Sequence, residues 1–328
     1  MFTHHYKSML FGFAFALLFL CTTPYAIATN LTTVPQTQTS HSANSPLITK
    51  YVQVKVKVAN QSSKPATDIN VQIPLISANS PYQQTYDEKF NYDYETISVD
   101  KLGNRMAAFN IDSLDVGQAK TIVIDYALKI KPDGGLVNND MANIKPFLQA
   151  SEKIESNHPE IIAVTNKINA NAGNDVDKVK NISDFVNAHM KYNLNAPGSN
   201  QGALSALRSG EGVCEDFAAL FVALCRAADI PARPVNGYAD PKLTGESWNK
   251  ENTPLVSLKG YRHCWAEVYV DGKGWLAVDP TFKIYPESDS TSSLTQSHIA
   301  QNYCDSPVKL TYQGEKLAVG WGNLLVNK

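Results

Sequence analysis

A cysteine, a histidine and an aspartate that could share one nucleophilic reaction stand in two separate segments of the chain. Cys214 follows Gly210 and Gly212 and begins a run in which apolar or small residues recur at helical spacing as far as Ala228. The first turn of a helix carries partial positive charge, which favours the thiolate form of a cysteine. The sequence therefore predicts that Cys214 is a nucleophile at the start of a buried helix.

The second segment supplies a base and an acid. His263 and Asp279 lie on two alternating runs that flank residues 271–274 (DGKG), a strong signal for a β-hairpin. A three-residue loop would place residue 270 opposite residue 274, and His263 and Asp279 would then share one face. A two- or four-residue loop would place them on opposite faces. Together with Cys214, the pair fits the thiol, imidazole and carboxylate of nucleophilic catalysis.

Each of these residues also has a structural interpretation. A cysteine on an apolar helix is commonly a small core residue, and we expect Cys225 on the same helix to be one. His263 taken alone could be a polar strand residue, and Asp279 a turn former before Pro280. The joint pattern is more specific than any single residue, and it favours catalysis by Cys214, His263 and Asp279.

The region ahead of these segments has the pattern of a β-domain. Residues 50–58 (KYVQVKVKV) alternate between valine and polar residues, as in a half-buried strand. Short strand-like runs separated by turn signals then predict a β-sandwich-like domain over residues 46–130. Those further runs are 69–76, 95–99, 105–111 and 120–130.

The rest of the chain predicts helices followed by strands. A linker is expected at 131–145, and a catalytic domain of helices and antiparallel sheet at 146–328. Residues 286–298 are rich in serine and threonine, which indicates a loop. Helices are predicted from Pro159, from Asp175 to Met190, from about 200 to 208, and from Cys214. The fold class expected for the whole chain is α+β.

The beginning of the chain resembles an export signal. Lys7 precedes an apolar run from Met9 to Leu20, and the small-residue pattern Ala26-Ile27-Ala28 follows a polar break. The apolar run is shorter than the roughly 20 residues that a membrane-spanning helix needs. We therefore expect a signal peptide over 1–28 that is cleaved after Ala28, and a periplasmic or secreted protein with no integral membrane segment thereafter. A lipid anchor through Cys21 is less favoured because Leu20, which is not small, precedes it.

Composition narrows the remaining possibilities. Residues 29–45 are polar, as in a disordered spacer. The 29 Lys and Arg against 31 Asp and Glu leave a net charge of −2, so no nucleic-acid partner is expected. No metal-ligand cluster, phosphate loop or calcium loop is evident, and we expect neither cofactor nor metal. In an exported protein with an unbridged Cys214, at most one disulfide can form among Cys225, Cys264 and Cys304.

The two catalytic segments resemble a known family. The runs GVCEDFAALFVALCRAADIPAR (212–233) and HCWAEVYVDGKGWLAVDPT (263–281) are similar to the core of the transglutaminase-like superfamily, a relative of papain, over roughly 175–285. The resemblance places the family's nucleophile, base and acid on Cys214, His263 and Asp279. It also makes Trp265 and Trp275 candidates for lining the site. Two positions depart from the family pattern, which commonly has Gly at 229 and Ala at 264.

The resemblance implies attack of a thiolate on a carboxamide, giving an acyl-thioester. The backbone N–H of Cys214 would contribute to the oxyanion hole, since helix-start N–H groups have no intrahelical acceptor. Tyr192 is a candidate side-chain donor, with core packing as its alternative role. A protein, peptide or cell-wall peptide substrate is expected. Hydrolysis and protein cross-linking remain open, as does a catalytically silent binding module, although the intact triad disfavours it. Export also disfavours acyl transfer from coenzyme A.

Overall fold

A computed structural model describes residues 46–77, 80–132, 144–243, 254–285, 291–303 and 307–327. The predicted signal peptide, the spacer at 29–45, most of the linker at 131–145, and Cys304 lie outside these ranges. Among the residues within them, no helix is long and apolar enough to cross a membrane.

The described elements give an α+β fold in which most strands are antiparallel. The strands are β1 (Ile48–Asn60), β2 (Ala66–Pro74), β3 (Gln83–Phe90), β4 (Thr96–Val99), β5 (Arg105–Leu114), β6 (Ala119–Ile130), β7 (Lys191–Tyr192), β8 (Glu211–Gly212), β9 (Ala232–Ala239), β10 (Leu255–Ser257), β11 (Arg262–Val270), β12 (Gly274–Val278), β13 (His298–Tyr303), β14 (Lys309–Gln313) and β15 (Leu317–Val326). The α-helices are α1 (Pro159–Ile168), α2 (Asp175–His189), α3 (Ala203–Ser209), α4 (Cys214–Ala227) and α5 (Thr291–Ser297).

Two antiparallel sheets share the first apolar core. One has the order β10-β15-β1-β6-β3 and the other β14-β2-β5-β4. The alternation predicted for β1 is confirmed: Val52, Val54, Val56 and Val58 are buried between the sheets, whereas the residues between them are only partly covered or exposed. The valines of β1 therefore lie on the inner face that packs between the two sheets.

The end of the chain returns to these two sheets. Strand β15 pairs along nearly the whole of β1, and β14 pairs with β2. Both strands lie within the segment 146–328 that the sequence assigned to the catalytic domain. Their pairing covers edges of β1 and β2 that would otherwise present unpaired backbone groups.

A third sheet, of order β12-β11-β9-β13, carries the second core and positions the site. One face of β11, with Ala266, Val268 and Val270, packs with the apolar residues of α4. The other face turns Trp265 toward the core of the first two sheets. Helices α1, α2 and α3 pack around α4, which buries almost every residue of α4 and fixes where that helix begins.

One predicted loop contains a helix instead. Residues 291–297 form α5 within the serine- and threonine-rich stretch 286–298. Leu294 is fully buried in the first core, and Thr295 Oγ1 donates a 2.7 Å hydrogen bond to the carbonyl of Pro132. These tertiary contacts outweigh the polar composition that indicated a loop.

Candidate active site

The start of α4 is held by the side chain of Asp216. Its Oδ2 accepts a 2.9 Å hydrogen bond from the backbone N–H of Val213, and its Oδ1 accepts one of 2.7 Å from the N–H of Asn200. A Cβ at Gly212 would lie 2.5 Å from Asp216 Oδ2, so only glycine fits there. The Gly-flanked helix start predicted from the sequence therefore positions Cys214 through a buried carboxylate that the sequence analysis did not single out.

Cys214 is the first residue of α4, as predicted, and it is largely buried. It is 7% exposed and packs on Ala218 and Cys264. Burial raises the pKa of the thiol, and the charge of Glu215 together with its hydrogen bond to the thiol raises it further. The Glu215 carboxylate oxygen Oε2 accepts that bond at 3.1 Å. A lowered pKa was expected from the helix start, and the sequence analysis missed the effect of Glu215.

Cys214 adjoins the strand that carries the candidate base. The backbone N–H of Cys264 hydrogen-bonds the Cys214 sulfur and opposes the rise in its pKa. Because Cys264 directly follows His263, this contact brings the candidate nucleophile alongside the start of β11. The family departure at 264 therefore lies against the thiol itself.

The register predicted for the hairpin is confirmed. Val270 pairs with Gly274 and Ala266 with Val278, so His263 and Asp279 project from the same face. His263 Nε2 lies 2.7 Å from Asp279 Oδ2. The imidazole and carboxylate are therefore joined directly, and Nδ1 is the ring nitrogen left to exchange a proton with another group.

Asp279 receives donors on both of its oxygens. Oδ1 accepts hydrogen bonds from the backbone N–H groups of Thr281 (2.9 Å) and Phe282 (3.2 Å). Oδ2 lies near His263 and also 3.0 Å from Nε2 of His298. Burial alone would raise the pKa of Asp279, but the charges and hydrogen bonds of the two histidines outweigh it and hold this pKa well below its usual range. The carboxylate therefore stays ionised near neutral pH.

His298 is a further residue of the site that was not predicted from the sequence. This residue begins β13 and is fully buried, with Nδ1 2.9 Å from Ser297 Oγ and 3.0 Å from the carbonyl oxygen of Leu294. Burial lowers its pKa. One ligand atom from each of His263, Asp279 and His298 lies within 4.8 Å of the others, so among the residues described these three could hold a metal ion.

The two candidate lining tryptophans occupy different places. Trp265 is fully buried, and its ring lies 6.1 Å from that of His263 at an interplanar angle of 21°. It also meets the ring of His298 edge-on at 5.0 Å. Trp275 instead contacts Phe147 at 5.2 Å and lies 4.1 Å from the guanidinium of Arg233. Trp265 therefore supports the histidines from within the core, whereas Trp275 belongs to a neighbouring cluster.

Tyr192 lies beside the thiol. It pairs with Gly212, two residues before Cys214, through the parallel strands β7 and β8. Burial raises the pKa of its phenol, and the nearby Cys214 and Glu215 raise it further. The ring remains 46% exposed. This position allows its hydroxyl to reach a group bound at the sulfur.

The segment that holds this site is similar to known proteins. Residues 162–280 match the family model of the Transglutaminase-like superfamily. A protein-glutamine gamma-glutamyltransferase of Pseudomonas aeruginosa is 37% identical over 105 residues, which are 31% of this chain and 15% of that protein. An uncharacterized protein of Haemophilus influenzae is 25% identical over 257 residues, covering 70% of this chain and 68% of that protein.

The likeness is partial in length but extends to the fold. The Bacillus subtilis protein YebA is 29% identical over 136 residues, and the match spans only 18% of its length. The solved structure of a candidate cysteine protease from Cytophaga hutchinsonii, 18% identical, superposes with a TM-score of 0.51 over 85% of this chain and 100% of that one. Cys214, His263 and Asp279 therefore all lie within the residues, 162–280, that match the model of the Transglutaminase-like superfamily.

Proposed function

We propose that this protein is an exported thiol-dependent hydrolase of peptide or carboxamide bonds that works through an acyl-thioester on Cys214. The observation that carries the proposal is the 2.7 Å contact between His263 and Asp279, together with the packing of Cys214 on Cys264, the residue that follows His263. Cys214 thus lies against the residue next to the candidate base, and the base contacts the candidate acid, as a thiol, imidazole and carboxylate mechanism requires.

The ionised Asp279 accepts the Nε2 proton of His263 and favours the imidazolium that forms when Nδ1 takes the thiol proton. Such a thiolate–imidazolium pair offsets the effects of burial and of Glu215 on the thiol. Glu215 itself is exposed, so a substrate can displace its carboxylate from the sulfur. A substrate that displaces Glu215 would therefore also favour transfer of the Cys214 proton to His263.

The thiolate attacks the carbonyl carbon, and the resulting oxyanion is bound by the backbone N–H of Cys214 and by the hydroxyl of Tyr192. His263 then gives its proton to the departing amine, which leaves an acyl-thioester. Water activated by His263 releases the acid and restores the thiol. The proposed substrates are proteins, peptides and cell-wall peptides, and this hydrolysis needs no cofactor.

The second candidate is a protein cross-linking transglutaminase. It is favoured by the Pseudomonas aeruginosa relative, which is named as a protein-glutamine gamma-glutamyltransferase. The same acyl-thioester would serve both reactions, and the acceptor that reaches it decides the product. A silent binding module would have no use for the His263–Asp279 pair.

One experiment separates these functions. The protein is incubated with a library of glutamine and peptide amides, with and without a primary amine, and the products are identified by mass spectrometry. Cleaved or deamidated products in both arms support the hydrolase, whereas adducts that need the amine support the transferase. The Cys214→Ser variant is the control, and equal turnover by that variant would overturn both.

Export is the final part of the proposal. The protein would be periplasmic or secreted after removal of residues 1–28. Sequencing the N-terminus of the protein recovered from its native compartment should begin at Thr29. A mature chain that still begins at Met1 would contradict export with cleavage.

A further inference from the structure

We infer that His298 is a positioning residue for the proposed reaction, fixing the Asp279 carboxylate in the orientation that receives His263. The inference rests on the proposed function, since an orienting acid matters only if His263 exchanges a proton with Cys214. His298 lies 19 residues from Asp279 in sequence and reaches it from β13, a strand that is not part of the hairpin.

The Asp279 carboxylate is bound at both of its oxygens. A carboxylate offers about four acceptor sites. Here four donors approach it: the N–H groups of Thr281 and Phe282 at Oδ1, and the Nε2 atoms of His263 and His298 at Oδ2. Rotation of the carboxylate in either direction would break bonds on both oxygens at once. His298 is the one donor of the four that is neither backbone nor the candidate base.

The ring of His298 is itself held in place by its neighbours. Nε2 of the ring lies 3.0 Å from Asp279 Oδ2, and Nδ1 lies 2.9 Å from Ser297 Oγ and 3.0 Å from the carbonyl oxygen of Leu294. The ring also lies edge-on to Trp265 at 5.0 Å. Contacts at both ring nitrogens and at Trp265 therefore fix where Nε2 of His298 meets Asp279.

A positioning role and a packing role for His298 predict different effects of substitution. If His298 served only to fill the core, phenylalanine would replace it best, because it preserves the ring against Trp265. If His298 serves as a donor, glutamine would replace it best, because its amide nitrogen can stand in for Nε2 and does not titrate. The two roles therefore rank the same pair of variants in opposite orders.

The experiment measures the rate at which iodoacetamide alkylates Cys214 in the otherwise unaltered chain near neutral pH, with folding checked by circular dichroism. His298→Gln should react within a few-fold of the unaltered protein. His298→Phe should react about 10- to 100-fold more slowly, the loss typical of removing a partner that orients a functional ligand. Should the Phe variant fail to fold, His298→Asn takes its place, because its amide is one carbon too short to reach Asp279.

A Phe or Asn variant as reactive as the unaltered protein would overturn the inference, and so would a folded Gln variant as slow as the Phe or Asn variant. His263→Ala is measured in parallel to test the proposed function separately. If alkylation of Cys214 is no faster in the unaltered protein than in His263→Ala, the proposed function fails. If His263→Ala is slow but His298→Phe is not, only the role of His298 fails.

Discussion

Two buried carboxylates carried by the same sheet have pKa values shifted in opposite directions. Glu267 lies on β11, and its Oε2 accepts two hydrogen bonds from Arg233, at 2.9 and 2.7 Å, while its Oε1 accepts one from Ser80 at 2.8 Å. Burial raises the pKa of Glu267 in spite of these partners. The guanidinium of Arg233 lies 3.6 Å from the ring of Tyr303 and 4.1 Å from that of Trp275.

Asp279, at the end of β12, differs in what neutralises it. Its partners His263 and His298 can each gain or lose a proton, and together they hold its pKa below the usual range. Arg233 keeps its charge at every relevant pH, so the Glu267 pair is fixed. Burial alone therefore does not mark a reactive site in this molecule. The reactive site is marked by a buried carboxylate whose titratable partner adjoins a thiol. The following predictions test that distinction.

The largest expected effect belongs to the carboxylate of the candidate site. Asp279→Asn keeps the shape of the side chain but can bind the wrong tautomer of His263, so turnover of an amide substrate should fall by roughly 10³- to 10⁴-fold. Thermal unfolding would show whether the variant is folded. Activity within tenfold of the unaltered protein would remove Asp279 from the mechanism.

Breaking the other buried pair should give the reverse result. Arg233→Met leaves the charge of Glu267 buried without its main partner, which should lower the free energy of unfolding by about 3–5 kcal/mol. Alkylation of Cys214 in the folded fraction should stay unchanged. Urea unfolding and alkylation rates measure the two quantities. The double variant Arg233→Met/Glu267→Leu removes both charges and should recover most of the stability. Slower alkylation of Cys214 in the folded single variant Arg233→Met would contradict the distinction between the two carboxylates.

A smaller effect is expected from the support of the nucleophile. In Gly212→Ala the new Cβ would lie 2.5 Å from Asp216 Oδ2, so the start of α4 must shift. Alkylation of Cys214 should slow by about tenfold, because small displacements of a reactive group are costly. Gly260→Ala is the matched control, since no atom lies within 4 Å of a Cβ built there. Equal rates for both variants would show that Gly212 does not position Cys214.

The smallest effect should be a gain. Glu215→Gln removes a negative charge 3.1 Å from the Cys214 sulfur, which stabilises the thiolate and lowers the pKa of the thiol. Below that pKa, alkylation should become severalfold faster, and the midpoint of the rate against pH should move to lower pH. A midpoint that moves to higher pH would mean that the carboxylate assists Cys214 instead.

The parts of the site that follow from local chemistry were predictable. The DGKG turn indicated the hairpin and, for a three-residue loop, the register that brings His263 and Asp279 to one face. The glycines before Cys214 marked the helix start. His298 was not predictable, because it reaches Asp279 only after β13 has paired with β9, some 60 residues earlier in the chain. The return of β14 and β15 to the N-terminal sheets was hidden for the same reason. Glu215 was visible in the sequence, but its carboxylate could be assigned an effect only once its side chain was seen to turn back to the sulfur.

The central claim is that Cys214 is the reactive thiol, and competitive labelling tests it most directly. The native protein is treated with limiting iodoacetamide near neutral pH, and the modified peptides are quantified over time. All three of these described cysteines are buried, but Cys214 should be labelled well before Cys225 and Cys264, because Cys214 is the thiol whose proton His263 is proposed to take. The Cys214→Ser variant should lose both the fast-reacting site and amide turnover. Faster labelling of Cys225 or Cys264, or an active Cys214→Ser variant, would contradict the account.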